Sequence, residues 1–376
     1  MTRPTKLAPA TEVPPTSRAP FGALNRQRLI SEFLQGYAAQ GASALWESVY
    51  RLLLWVDKTN GLAHCYESDK CQPGKPWYPR SLRFHDWLAG ALKYQPSDVG
   101  THLDWLFRRT ANQYAGEILR KQQTVLRRAE SQREGYAARG FPEPGEDPAI
   151  IEIIRQTLGS RLLDEPSAHE WVVLTQRIRE VIAVENKRKN LVGEGFEDVL
   201  AALLSGAGNA SEFEVSARKA LHQIPGFANM RTGEKVNKVD LAIVDKIRNR
   251  QTLVTAKWSI RADREKQFPA EFASYVQARS NLDGFSYTLV TNEFDPARLA
   301  RACEAMAGNG RMLTHVVHIN PQAIRAVYGL NAEASMRRVL DHIDARRLIG
   351  LDDWLAELGI TSPTGSGESP NRSRVR

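Results

Sequence analysis

Two apolar, β-rich runs, Lys238–Asp245 and Thr252–Ile260, lie either side of a short polar stretch centred on Arg248 and Asn249, and this spacing leaves a hairpin as the natural fold of the segment. With the turn centred there, cross-strand partners have numbers summing to about 497, a sum that Asp240 and Lys257 satisfy. Directly opposed residues of an antiparallel pair share a face with Cβ atoms about 5 Å apart. A carboxylate and an ammonium are thus expected to meet at one point, as a cross-strand salt bridge or as part of a catalytic site. Leu241, Ile243, Leu253, Val254, Trp258 and Ile260 make both strands strongly apolar, so the pair is expected at a partly buried position, where charges need a reason.

The rest of the chain builds a mixed α/β frame around that hairpin. Helical periodicity dominates 22–135, where Ser97 and Asp98 are expected to cap a helix running through Leu103 and Leu106. The stretch GFPEPGEDP at 140–148 breaks the pattern and reads as a linker. Helices are expected over 149–158, 169–187 and 191–204, the last with Phe196, Val199, Leu200, Leu203 and Leu204 on one face. After the hairpin come a helix opening at Pro269 and strands at Phe285–Val290 and His315–Ile319. The expected organisation is therefore a disordered proline-rich 1–21, a helical region over 22–137, a linker over 138–148, an α/β domain over 149–360 and a disordered tail over 361–376.

Composition narrows the function classes. The 376 residues carry 51 Lys and Arg against 43 Asp and Glu, a formal charge of +8 that suits a polyanionic partner. No apolar run is long enough to cross a bilayer, and a cytoplasmic location is expected. Three cysteines, Cys65, Cys71 and Cys303, make a disulfide framework unexpected. His64, Cys65, Cys71 and His85 lack the spacing of a zinc site and are read as structural.

Phosphodiester hydrolysis supplies a reason for the charged pair: a divalent ion held by carboxylates polarises the phosphate while a lysine stabilises developing negative charge or orients the nucleophile. In the PD-(D/E)xK nuclease pattern a second carboxylate stands two residues before the lysine, but here the text is Thr255-Ala256-Lys257. Glu271, just inside the helix expected to open at Pro269, is a candidate replacement.

At that point the stretch KWSIRADREKQFPAE, Lys257–Glu271, resembles the signature of the CCGG-family type II restriction endonucleases: a lysine on a strand, an Arg-x-Asp-Arg segment after it, and a glutamate displaced to the following helix. The resemblance implies a restriction-endonuclease-like core with a central mixed sheet flanked by helices. It implies Lys257 as the catalytic lysine, Glu271 as the relocated metal ligand and Asp240 as the metal-bridging aspartate, with Asp245 as fallback. Where the family usually has proline, Val239 precedes Asp240. The segment GEGFEDVL at 193–200 is similar to an early helix whose glutamate leans towards the metal, which implies Glu197, with Glu194 as competitor.

By the same resemblance Arg261, Asp263 and Arg264 read bases, and arginine pairing guanine and carboxylate accepting from cytosine are the chemistry G·C pairs ask for. The implied activity is Mg²⁺-dependent cleavage of double-stranded DNA at a palindrome with a CCGG core, by a homodimer or tetramer, beside a protecting DNA methyltransferase. A shape-selecting PD-(D/E)xK repair or recombination nuclease and a non-cleaving sequence-specific DNA-binding protein are the alternatives.

Overall fold

The computed structural model describes residues 19–38, 44–57, 62–63, 71, 73–115, 128, 131–132, 134–139, 147–159, 164, 166–228, 237–260, 265–279 and 284–360. The expected disordered ends, save 19–21, and most of the expected linker lie outside these residues. So do Cys65 and the base-reading candidates Arg261, Asp263 and Arg264.

The centre is a six-stranded mixed sheet built from β3 (Phe213–Ala220), β4 (Lys238–Asp245), β5 (Arg250–Lys257), β6 (Phe285–Thr291), β9 (His315–His318) and β10 (Leu348–Gly350) in the order β10-β9-β6-β5-β4-β3. β5, β6, β9 and β10 are mutually parallel; β4 and β3 continue the sheet antiparallel. Two-residue strands β1 (Val56–Asp57) with β2 (Leu62–Ala63) and β7 (Met306–Ala307) with β8 (Gly310–Arg311) form small separate ribbons. Burial explains the unbroken apolar text of the hairpin. Val239, Leu241–Val244 and Leu253–Ala256 are covered on both faces, as interior strands of a helix-flanked sheet require.

The helices are α1 (Ala23–Ala38), α2 (Leu45–Leu53), α3 (Tyr78–Leu92), α4 (Val99–His102), α5 (Pro148–Leu158), α6 (Ala168–Ala207), α7 (Gln267–Gln277), α8 (Pro296–Glu304), α9 (Pro321–Tyr328), α10 (Ala334–Asp344) and α11 (Leu351–Leu358). Several starts follow local chemistry. Asp147, Asp295 and Asn320 accept from N–H groups of the first turn, each followed by proline at the first helical position. The helix expected from Ser97 and Asp98 is shorter than its text suggested. α4 stops at His102 because Leu103 is extended and Asp104 left-handed, and a further helical run occupies 105–115. The separate helices expected over 169–187 and 191–204 are one continuous 40-residue helix, α6, since Arg188 and Lys189 between them are good helix formers and neither glycine nor proline interrupts the join.

The chain divides into two compact units, one comprising 1–26 with 108–189 and the other 27–107 with 190–376. In the second unit, the N-terminal helices join the core of the sheet. Tyr50 donates its hydroxyl to Asn292 at 2.8 Å, Asp352 accepts from Leu45 N–H at 3.0 Å, and Arg83 donates to the Val327 carbonyl at 2.8 Å. Trp354, Tyr50, Tyr287, Phe84, Phe196 and Phe294 are fully buried there. Cys71 and Cys303 are buried. Among the described residues no helix is long and apolar enough to cross a membrane.

Candidate functional site

The site sits in the second unit, at the end of the sheet where β5 finishes and the neighbouring antiparallel β4 begins. The carboxyl ends of the parallel strands are where open α/β sheets commonly take their ligands. Asp240 is the third residue of β4 and Lys257 the last of β5.

The two meet, but not by the register expected. Pairing runs from Asp245↔Arg250 to Leu241↔Val254, sums of 495 rather than 497, so the step beyond it sets Asp240 against Thr255. The two-residue difference keeps Lys257 on the same face because side chains alternate with period two. Asp240 Oδ2 accepts from Lys257 Nζ at 2.6 Å, from Ala256 N–H at 3.0 Å and from Thr255 Oγ1 at 3.3 Å. The carboxylate thus takes over a backbone donor where the β4–β5 ladder has ended. With side chains 23 % and 16 % exposed, Asp240 and Lys257 are partly shielded yet open to a ligand.

Glu197 joins them from α6. Its neighbour Phe196 is buried edge-on against Trp258 at 5.2 Å, which sets the rotation of the helix over the end of β5. At Gly195 a Cβ would stand 3.3 Å from Leu53 Cδ2, so glycine allows the close approach there. Glu197 Oε2 accepts from Arg218 Nη1 at 2.9 Å. Burial first, and then the charge of Asp240, push its carboxyl up to about 7, against the opposite pull of Arg218 and Lys257. Glu194, one turn earlier, is exposed.

Glu271 lies deeper in its helix than its sequence implied. α7 opens at Gln267, two residues before Pro269, so Glu271 is the fifth helical residue and outside the first turn. A proline is tolerated there because the first-turn N–H groups have no helical partner to lose. Glu271 Oε2 accepts from the Tyr287 hydroxyl of β6 at 2.8 Å. Burial and then the charge of Glu271 raise the Tyr287 and Tyr275 hydroxyls, and Asp240 adds to both, so the two carboxylates share one electrostatic neighbourhood. Asp245, the fallback ligand, is at the other end of β4. Its Oδ1 accepts from Ile247 and Arg248 N–H, which closes the hairpin turn.

Among the described residues no group of three or more His, Cys, Asp or Glu side chains is gathered to hold a metal ion by itself. Glu197 and Asp240 nevertheless fit a hard divalent ion by their chemistry. They are carboxylates in each other's field, and magnesium is usually held by one or two of these, with water and phosphate completing its shell.

The flanks of 261–264 show two residues that the sequence did not single out. Glu293, 4 % exposed, accepts from Ile260 N–H at 2.6 Å through Oε2 and from Phe294 and Asp295 N–H at 2.9 and 2.8 Å through Oε1. Burial pushes its carboxyl up, and these bonds and Arg298 pull it back. Arg301 of α8 makes a forked pair with Glu265 at 2.7 and 2.9 Å. Arg218 was missed too, with the whole of β3; the alternation Phe213, Val215, Ala217 was its signal. No protein-family model and no curated protein matches the chain.

Proposed function

We propose that this chain is a Mg²⁺-dependent type II restriction endonuclease of the PD-(D/E)xK class that hydrolyses double-stranded DNA at a palindrome with a CCGG core. What carries the reading is the Asp240–Lys257 contact of 2.6 Å at the strand ends of a mixed sheet, with Glu197 beside it. The Arg-x-Asp-Arg text that follows Lys257 supplies the sequence preference.

Asp240, Glu197 and Glu271 would hold the metal, which supplies charge stabilisation at the phosphate and a more acidic water. Lys257 brings a positive charge to the phosphate oxygens, and Asp240 orients it. Glu271 exchanges its Tyr287 hydrogen bond for the site when substrate is bound. A palindrome requires two such sites related by a twofold axis, hence a homodimer or a tetramer, and a protecting methyltransferase in the same host.

Digestion of a sequenced plasmid with Mg²⁺, beside the Lys257→Ala variant, tests the proposal. Discrete CCGG-containing ends that vanish in the variant are expected. Cutting without sequence preference would instead indicate a repair nuclease, and a gel shift without products the non-cleaving protein.

A further inference from the structure

Arg218 occupies an unusual position for a strand residue. Its φ is 51°, in the left-handed region that non-glycine residues avoid and that persists where the surroundings hold it, often at functional sites. Ala217↔Leu241 and Lys219↔Val239 keep one register on either side of it, so Arg218 lies opposite Asp240. From there its guanidinium spans two successive carboxylates of α6: Nη1 donates to Glu197 at 2.9 Å and Nη2 to Asp198. The Asp198 side chain is almost wholly buried and that of Glu197 is 15 % exposed, so the fork ties helix to strand in a shielded place.

We infer that Arg218 is a positioning residue for the cation site, holding Glu197 towards Asp240 through the planar fork it shares between Glu197 and Asp198. The inference rests on the nuclease reading above. The fixed guanidinium, bonded to both Glu197 and Asp198 from a position opposite Asp240, holds the Glu197 carboxylate in one orientation before any ion arrives. Lysine could supply the charge but not two parallel donors in one plane. The alternative is a clamp that merely neutralises buried Asp198, with no consequence for the ion.

The experiment is a titration of the full-length protein with Mn²⁺ alone, following free Mn²⁺ by electron paramagnetic resonance, for wild type, Arg218→Lys, Arg218→Ala and Asp198→Asn, each checked by thermal unfolding. Arg218→Lys is expected to stay folded and to bind Mn²⁺ about tenfold or more weakly, the range typical when the support of a metal ligand is removed. Asp198→Asn, which leaves the Arg218–Glu197 bond in place, is expected to keep wild-type affinity even if it unfolds earlier. Wild-type affinity in Arg218→Lys overturns the inference, and so does a loss in Asp198→Asn equal to that in Arg218→Lys. If Arg218→Ala does not fold, those two variants still decide. Wild-type protein that binds no Mn²⁺ removes the cation site itself, and with it the nuclease reading.

Discussion

Lys257 reaches Asp240 across the hairpin from a position two residues beyond its backbone partner, and the residue opposite Asp240 in register is Thr255. In the simple PD-(D/E)xK pattern a carboxylate would stand at 255. Here a hydroxyl stands there instead, 3.3 Å from Asp240 and able to donate where a second carboxylate would repel.

Lys257 and Thr255 should therefore separate sharply in mutation. Lys257→Ala is expected to lower the cleavage rate by roughly 10²–10³ or more, the scale seen when one charge-stabilising donor is removed, with duplex binding retained. Thr255→Val deletes one long hydrogen bond and should cost no more than about 1 kcal/mol of stability, with cleavage within a few-fold of wild type. Single-turnover cleavage and gel retardation of both variants check this, and a Thr255→Val loss as large as that of Lys257→Ala would sink it.

Glu197 makes the stability of the metal-free protein depend on pH. Its carboxyl is raised from 4.5 to about 7 by burial and then by Asp240, so between those values the folded chain keeps a proton that the unfolded chain has released. The sign follows: this contribution is full below about pH 4.5, declines as pH rises and is gone above about 7, amounting to a few kcal/mol at most. His318, fully buried and lowered to about 3 by that burial, contributes the opposite slope on the acid side. The quantity to measure is consequently the difference between wild type and Glu197→Gln in chelator. Denaturant unfolding from pH 4 to 9 should show wild type losing ground to the variant up to about pH 7 and a constant gap beyond.

Glu271 accepts a hydrogen bond from the Tyr287 hydroxyl. Tyr287→Phe should cost about 0.5–1.5 kcal/mol and leave Mg²⁺-dependent cleavage largely intact, because the hydroxyl only parks the carboxylate. Glu271→Gln should raise the Mg²⁺ concentration needed for half-maximal cleavage at least about tenfold. Metal titrations of the two variants test this; equal losses in both would mean that Tyr287 belongs to the working site.

Glu293 closes the end of β5 by taking the N–H groups of Ile260, Phe294 and Asp295. Glu293→Ala leaves these donors without their acceptor in a buried place, at about 1–3 kcal/mol for each one that stays unsatisfied. A marked fall in melting temperature is expected, whereas Glu293→Gln, which keeps one carbonyl acceptor, should lie between. Melting curves with those of Arg301→Ala, an exposed forked pair whose loss should be small, give the comparison.

Sequence alone determined the hairpin, the facing of Asp240 and Lys257, and the apolar face of α6 around Phe196. These follow from short-range rules: the polar turn, the period-two alternation and the helical repeat. Even the register error of two residues left the pair in contact, because a shift of two preserves the face whereas a shift of one would not. Tertiary structure decided what local text leaves free. β3 was overlooked because its strand is half polar and gains its place only by pairing with β4. Glu197 is distinguished from exposed Glu194 by the neighbours it acquires, Arg218 and Asp240, which stand 21 and 43 residues away in the chain. The opening of α7 two residues before Pro269, and the turn of Glu271 towards Tyr287, likewise depend on how the helix settles against β6. Burial and charge act through space between segments distant in sequence, and that is why the local text could set Asp240 facing Lys257 but not Glu197 against Arg218 or Glu271 against Tyr287.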